Sequence, residues 1–230
     1  MNPEPVLIRV DPDRTVSGLW TKPAAATAAL VLAHGAGAGM THKSVVAIAE
    51  GLAMRNIATL RYNFPYMERG SKRPDAPALA HATVRAAVAE AGRLAPDLPL
   101  FAGGRSFGGR MTSQAQALEP LPGVRGLVFF AFPQHPPGKP GVERAGHLAD
   151  ITVPQLFLQG SNDEFAKLDL LQATVAGLGD RAALKLVEAA DHSFHVPAKS
   201  GRKDADVLGE FLDAARDWML AVTATPRAPR

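Results

Sequence analysis

Leu100-Phe101-Ala102-Gly103-Gly104-Arg105-Ser106-Phe107-Gly108-Gly109-Arg110 changes character at one residue. Leu100 to Gly104 is a short apolar run that reads as a strand, and Phe107 to Leu118 reads as a helix. Ser106 sits at the junction, with Gly104 and Gly108 flanking it symmetrically. A strand that turns directly into a helix leaves no space for side chains on either side of the turn. A serine there projects its hydroxyl beyond the strand end, next to a helix N-terminus. The string is short, so its meaning depends on whether the rest of the chain supplies a matching context.

The pattern recurs in both directions. Ala29 to Ala33 is wholly apolar and runs into His34-Gly35-Ala36-Gly37-Ala38-Gly39. Val45, Ile48, Ala49 and Leu52 follow at helical spacing, and Ile57 to Tyr62 is the next strand. Asn63 to Pro77 is loop-like, and Ala78 to Leu94 is an alanine-rich helix. Beyond the central stretch come strands at Gly126 to Ala131, Val153 to Gln159 and Ala183 to Glu188. A helix at Lys167 to Ala176 intervenes, and a last helix spans Lys203 to Val222. Its apolar residues from Val207 to Val222 fall on one stripe. Val6 to Val10 and Val16 to Trp20 look like two further strands around an Asp11-Pro12-Asp13 turn. Strands and helices in alternation imply an α/β fold: a mostly parallel sheet with helices on both faces. Strands apolar along their whole length fit burial on both sides. Ligands of such sheets bind beyond the carboxyl ends of the strands.

Composition sets the outer bounds. The chain has 230 residues, 47% of them hydrophobic and 20% charged, with formal net charge +3 at pH 7. That suits a single globular domain over 1–230, with a frayed tail at 225–230. Positive residues are scattered beside acids, as in Glu68-Arg69, so no nucleic-acid partner is expected. Cysteine is absent, which excludes thiol chemistry and Cys-ligated metal. The first residues lack a signal-peptide pattern, and no apolar run could span a bilayer. The expectation is a cytoplasmic protein without a membrane partner. No metal-ligand spacing and no cofactor motif is seen, and oligomeric state is not readable.

A serine hydroxyl needs a base within hydrogen-bond reach to act as nucleophile. In a strand–turn–helix site of this type the acid and then the histidine follow the serine along the chain. Asp163, in Gly160-Ser161-Asn162-Asp163, and His192, in Ala190-Asp191-His192, each follow a strand in that order. His192 is the expected base and Asp163 the group that orients it. His195 competes for the first role; Glu164 and Asp150 compete for the second, and Asp191, adjacent to His192, is expected to point elsewhere. A loop aspartate also commonly caps a turn. Two backbone N–H groups, from Phe107 and Ala36, are expected to receive a carbonyl oxygen as it becomes negative. The glycines around Ala36 do not have the spacing of a phosphate or dinucleotide loop.

Four segments recur in order: Ala33-His34-Gly35-Ala36, Arg61-Tyr62-Asn63-Phe64, Gly104-Arg105-Ser106-Phe107-Gly108-Gly109-Arg110 and Phe132-Pro133-Gln134-His135-Pro136. In these the chain resembles the α/β-hydrolase superfamily. More narrowly it is similar to small bacterial hydrolases related to the animal testis-expressed and non-specific-lethal-complex subunit 3 proteins, and more distantly to dienelactone hydrolases. The resemblance covers about residues 28 to 222. It implies a minimal α/β-hydrolase with little or no lid, and a Ser106–Asp163–His192 triad. An arginine or lysine before the serine looks usual in the narrower group. Arg105 is expected either to meet a substrate carboxylate or, preferentially, to pair with Glu68 or Asp75, because a buried guanidinium needs a partner.

The resulting expectation is a carboxylesterase-like serine hydrolase acting on a small ester, thioester or related acyl compound. The alternative is a scaffold protein that keeps the fold without the chemistry. Phe64, Tyr66, Arg105, Phe132, His135 and Phe165 are the expected substrate-binding residues. The segment Phe132 to Thr152 is too short for a full helical cap, which predicts an open site.

Overall fold

The computed structural model describes residues 2–225; of the tail expected to fray, 226–230 lie outside the described residues. One eight-stranded sheet organises the chain. Its strands are β1 (Glu4–Asp11), β2 (Arg14–Thr21), β3 (Ala28–Ala33), β4 (Ile57–Tyr62), β5 (Leu100–Arg105), β6 (Val124–Phe130), β7 (Gln155–Gly160) and β8 (Ala182–Val187). Their spatial order is β1-β2-β4-β3-β5-β6-β7-β8. β1 and β2 form an antiparallel hairpin on one edge, and β3 to β8 all run parallel.

The helices are α1 (Lys43–Ala53), α2 (Pro65–Glu68), α3 (Pro77–Leu94), α4 (Phe107–Leu118), α5 (Leu168–Leu178) and α6 (Asp204–Ala224). Period-2 alternation in the buried strands divides the interior into two cores. In β3, Ala29, Val31 and Ala33 join one core with Ala80, Val84 and Ala87 of α3 and Met111 and Ala115 of α4. Ala28, Leu30 and Leu32 point the other way, toward Val45, Ile48 and Leu52 of α1 and Phe211, Leu212 and Met219 of α6. A strand apolar on both faces buries each residue, at about 1.5–3 kcal/mol per large side chain. This is why the continuous apolar runs locate the strands so closely.

Several boundaries differ from the sequence reading. The segment from Asn63 to Pro77 contains the single-turn α2, begun by Pro65 at its first helical position. One turn is too short to show periodicity. β7 starts at Gln155 rather than Val153 because Pro154 has no N–H to donate, although its carbonyl accepts from Leu127 N (2.9 Å). The excursion from Phe132 to Thr152 carries a 3-10 turn at Gly146–Asp150 and no α-helix, so among the described residues this segment forms no helical cap over the carboxyl edge of the sheet. Among the described residues no helix is long and apolar enough to cross a membrane.

Candidate active site

β5 delivers Ser106 to the carboxyl edge of the sheet, where α4 begins. Ser106 has φ 50° and ψ −117°, a conformation L-residues rarely adopt. The Ser106 N–H donates to Phe130 O (3.0 Å), and Arg110 N–H donates to Ser106 O (3.1 Å), so the turn is fixed from both sides. The flanking glycines are required by contact with β3. A Cβ on Gly104 would lie 2.4 Å from Ala33 O, and one on Gly108 would lie 2.5 Å from His34 O. β3 is held between β4 and β5 and has no room to withdraw.

Two other strand ends bring the partners. Asp163 follows β7, and His192 follows β8. His192 Nε2 is 2.9 Å from Ser106 Oγ, and His192 Nδ1 is 2.7 Å from Asp163 Oδ2. The Asp163 side chain is fully buried. Besides His192, its carboxylate accepts from Gln159 Nε2 (2.5 Å) and from Phe165 N–H (2.8 Å). A buried anion so surrounded by donors is satisfied where it stands. The competitors lie elsewhere. His195 is exposed and pairs with Asp204, and Glu164 and Asp150 are exposed. Asp191 caps a turn through Ser193 N–H and His195 N–H.

Among the described residues neither Ala36 N–H nor Phe107 N–H donates to a protein acceptor. Both residues, with Ser106, line a cavity of about 390 Å³. Three interactions hold the Ala36 loop. Tyr66 Oη accepts from Gly37 N–H (3.0 Å). His34 Nδ1 lies 2.7 Å from Gly35 O, and His34 Nε2 accepts from Phe64 N–H (3.1 Å). His34 is therefore the neutral Nδ1–H tautomer, and burial pushes its pKa down to about 4. The unfolded chain takes up a proton near the ordinary pKa of about 6.5 while the folded chain resists to about 4. Stability is thus expected to fall as pH drops through that window, by about 3 kcal/mol from this residue, and to level off below it. Urea midpoints measured across the window check this. An equal fall in His34→Gln would remove His34 as the cause.

The expected substrate-binding residues separate. Phe165 lines the cavity, and its ring lies 4.2 Å from the His192 ring, centroid to centroid. Phe64, Tyr66 and Phe132 are buried in the core instead, where Phe64 packs edge-on against Phe107. His135 is also buried and accepts from Lys167 N–H (2.8 Å). The Arg105 guanidinium does not reach Glu68 or Asp75. It donates to His192 O (2.8 Å) and borders a separate cavity of about 170 Å³ with Phe194 and Leu208. Burial lowers its pKa, opposed by the nearby Asp163 and Asp191 carboxylates. Glu68 is committed to Ser17 N–H and Asn63, and Asp75 to Arg69 and Tyr66 N–H. Arg105 thus ties the His192 loop to the serine turn. Sequence reasoning missed Gln159, whose signal was a polar residue directly after the apolar run Leu156 to Leu158. It also missed Arg144 as a wall of the cavity. Among the described residues no three His, Asp or Glu side chains gather as a metal-ligand group.

The model of the alpha/beta hydrolase domain family matches residues 26–220. The chain belongs to this family. Solved hydrolase structures agree with it in fold. A dienelactone hydrolase from Anabaena variabilis superposes with TM-score 0.75 at 19% identity, covering 96% of this chain and 99% of that one. A serine hydrolase without lid from Xanthomonas campestris gives TM-score 0.73 at 20% identity, over 100% and 98% of the two chains. A serine hydrolase homologue from Coxiella burnetii gives 0.72 at 20% identity, over 97% and 99%. At these identities the likeness concerns the hydrolase fold, and the site must be argued from its own residues.

Proposed function

We propose that this hydrolase-fold chain is a serine esterase that cleaves small acyl compounds through Ser106, His192 and Asp163. The observation that carries this reading is the unbroken hydrogen-bonded chain from Ser106 Oγ through the imidazole to a buried carboxylate. Ser106 Oγ attacks the acyl carbonyl while His192 Nε2 takes its proton. Ala36 N–H and Phe107 N–H receive the oxyanion. The protonated imidazole then gives its proton to the departing alkoxide or thiolate. Water, deprotonated by His192, next attacks the acyl-enzyme and restores Ser106. Asp163 keeps the proton of the resting imidazole on Nδ1 and stabilises the cation formed in each step. These groups supply nucleophile, base and orienting anion, so the scheme calls for no metal or cofactor.

The open carboxyl edge and the cavity volume favour small substrates over long acyl chains. A scaffold that only keeps the fold gives no reason for a strained serine within hydrogen-bond reach of an imidazole. The motifs around His34, Asn63, Ser106 and His135 support placement among the small bacterial hydrolases noted above, as a single-domain cytoplasmic enzyme. The test is labelling with a fluorophosphonate probe, mapped by mass spectrometry, alongside turnover of short-chain nitrophenyl esters. Covalent adduct on Ser106 is the expected result. No adduct and no turnover would sink the proposal.

A further inference from the structure

We propose that the cavity above Ser106 selects acyl substrates carrying a carboxylate, which Arg110 and Arg144 hold. The inference rests on the esterase reading and specifies its substrate class. Both arginines line that cavity with Ser106, Phe107 and Phe165. Among the described residues neither guanidinium forms an ion pair or a hydrogen bond, and Arg110 Nε is buried without an acceptor. Three other half-buried arginines have partners: Arg55 has Asp213, Arg202 has Glu210, and Arg105 has the His192 carbonyl. Burial, and next the like charge of Arg144, lower the pKa of Arg110.

The surrounding groups do not supply the missing anion. Asp75 faces the cavity, but its carboxylate already holds Arg69 (2.6 Å) and Tyr66 N–H (2.9 Å). His81 and His147 are held toward the neutral form by burial, and Arg110 adds to the effect at both. Two cations converging on a partly desolvated space are unfavourable until an anion joins them. A guanidinium presents a planar fork of donors that matches a carboxylate.

Position narrows the class further. Arg110 lies one helical turn beyond Ser106 on α4, an axial separation of about 5–6 Å. Its guanidinium carbon is 6.0 Å from the centre of the ring of Phe107, the residue whose backbone N–H is the proposed oxyanion donor. An anion held there is a few bonds from the attacked carbonyl. Monoesters of short dicarboxylic acids have that spacing.

The experiment compares 4-nitrophenyl hemiglutarate with 4-nitrophenyl hexanoate, of similar acyl length but neutral. The expected kcat/KM ratio favours the anionic ester by about tenfold or more, as one charge-assisted hydrogen bond provides. Arg110→Gln and Arg144→Gln should each lower that ratio about tenfold, chiefly through KM. Free glutarate should raise the Tm of the wild type, and raise it less in Arg144→Gln, a loop substitution that spares α4. A wild-type ratio near unity, or a ratio unchanged in both variants, overturns the proposal. So does a larger Tm rise with inorganic phosphate than with glutarate. Fluorophosphonate labelling of Ser106 separates the two levels. Labelling with a ratio near unity sinks only the carboxylate preference, and no labelling with no turnover sinks the esterase reading as well.

Discussion

Ester turnover by a Ser106→Ala variant is expected to fall by about 10⁴- to 10⁶-fold in kcat, leaving the residual rate that oxyanion donors and binding alone provide. His192 Nε2 would then face a methyl group, and water would have to attack without a positioned alkoxide. The turn itself should survive, because its hydrogen bonds run through the backbone of residue 106 to Phe130 and Arg110. A second substitution isolates the strain. The backbone at this position, φ 50° and ψ −117°, suits glycine and costs other residues about 1–3 kcal/mol. Glycine also loses about 0.5–1 kcal/mol through its greater freedom when unfolded. Ser106→Gly should therefore be as inactive as Ser106→Ala but more stable by about 1 kcal/mol, or about 2–4 °C in Tm for a chain of this size. Retained turnover in either variant would mean that the nucleophile lies elsewhere. Equal Tm values would mean that the turn stores no strain on behalf of catalysis.

The residues that were legible in the sequence share one physical cause. β3 to β7 have wholly apolar or nearly apolar stretches because both of their faces are covered, and each stretch stops where the sheet ends. Ser106 and Asp163 follow such stops and His192 follows the parallel edge strand β8, so their convergence on one edge follows from parallel topology. The cavity wall was far less legible. Phe64, Tyr66 and Phe132 are large and follow the carboxyl ends of β4 and β6, yet the same apolar character draws them into the core. The cavity wall includes Pro74, Pro77, Pro133 and two arginines beside Phe165. Charged loop residues have no periodicity to betray their direction, so Arg144 carried no local signal. Arg105 shows the limit from the other side. Its need for a partner was readable from chemistry, but the partner is a backbone carbonyl at His192, 87 residues away, which no side-chain inventory identifies.

Asp163→Asn tests the carboxylate more sharply than deletion, because it changes one atom without opening a cavity. Phe165 N–H is backbone and cannot turn away from Oδ1, so the asparagine oxygen must take that position. The new amide nitrogen then meets Gln159 Nε2 where Oδ2 had accepted it, and it lies 2.7 Å from His192 Nδ1, against 2.9 Å for the retained oxygen. Gln159 is not free to flip, since its Oε1 accepts from Phe132 N–H (2.8 Å). Without the anion, and with an amide donor as the nearer neighbour of Nδ1, His192 is expected to shift its proton to Nε2 and so present N–H, not a lone pair, to Ser106. Loss of the base in this way is expected to lower kcat by about 10⁴-fold. The crowded buried donors should destabilise the fold by only about 1–3 kcal/mol, leaving a folded protein to assay. A fall of no more than about tenfold in kcat, with normal folding, would mean that the tautomer of His192 is set by something other than Asp163. A stability loss with no change in turnover would assign Asp163 to loop architecture alone. The expected combination, a small loss of stability with a large loss of rate, arises only if the imidazole takes the serine proton.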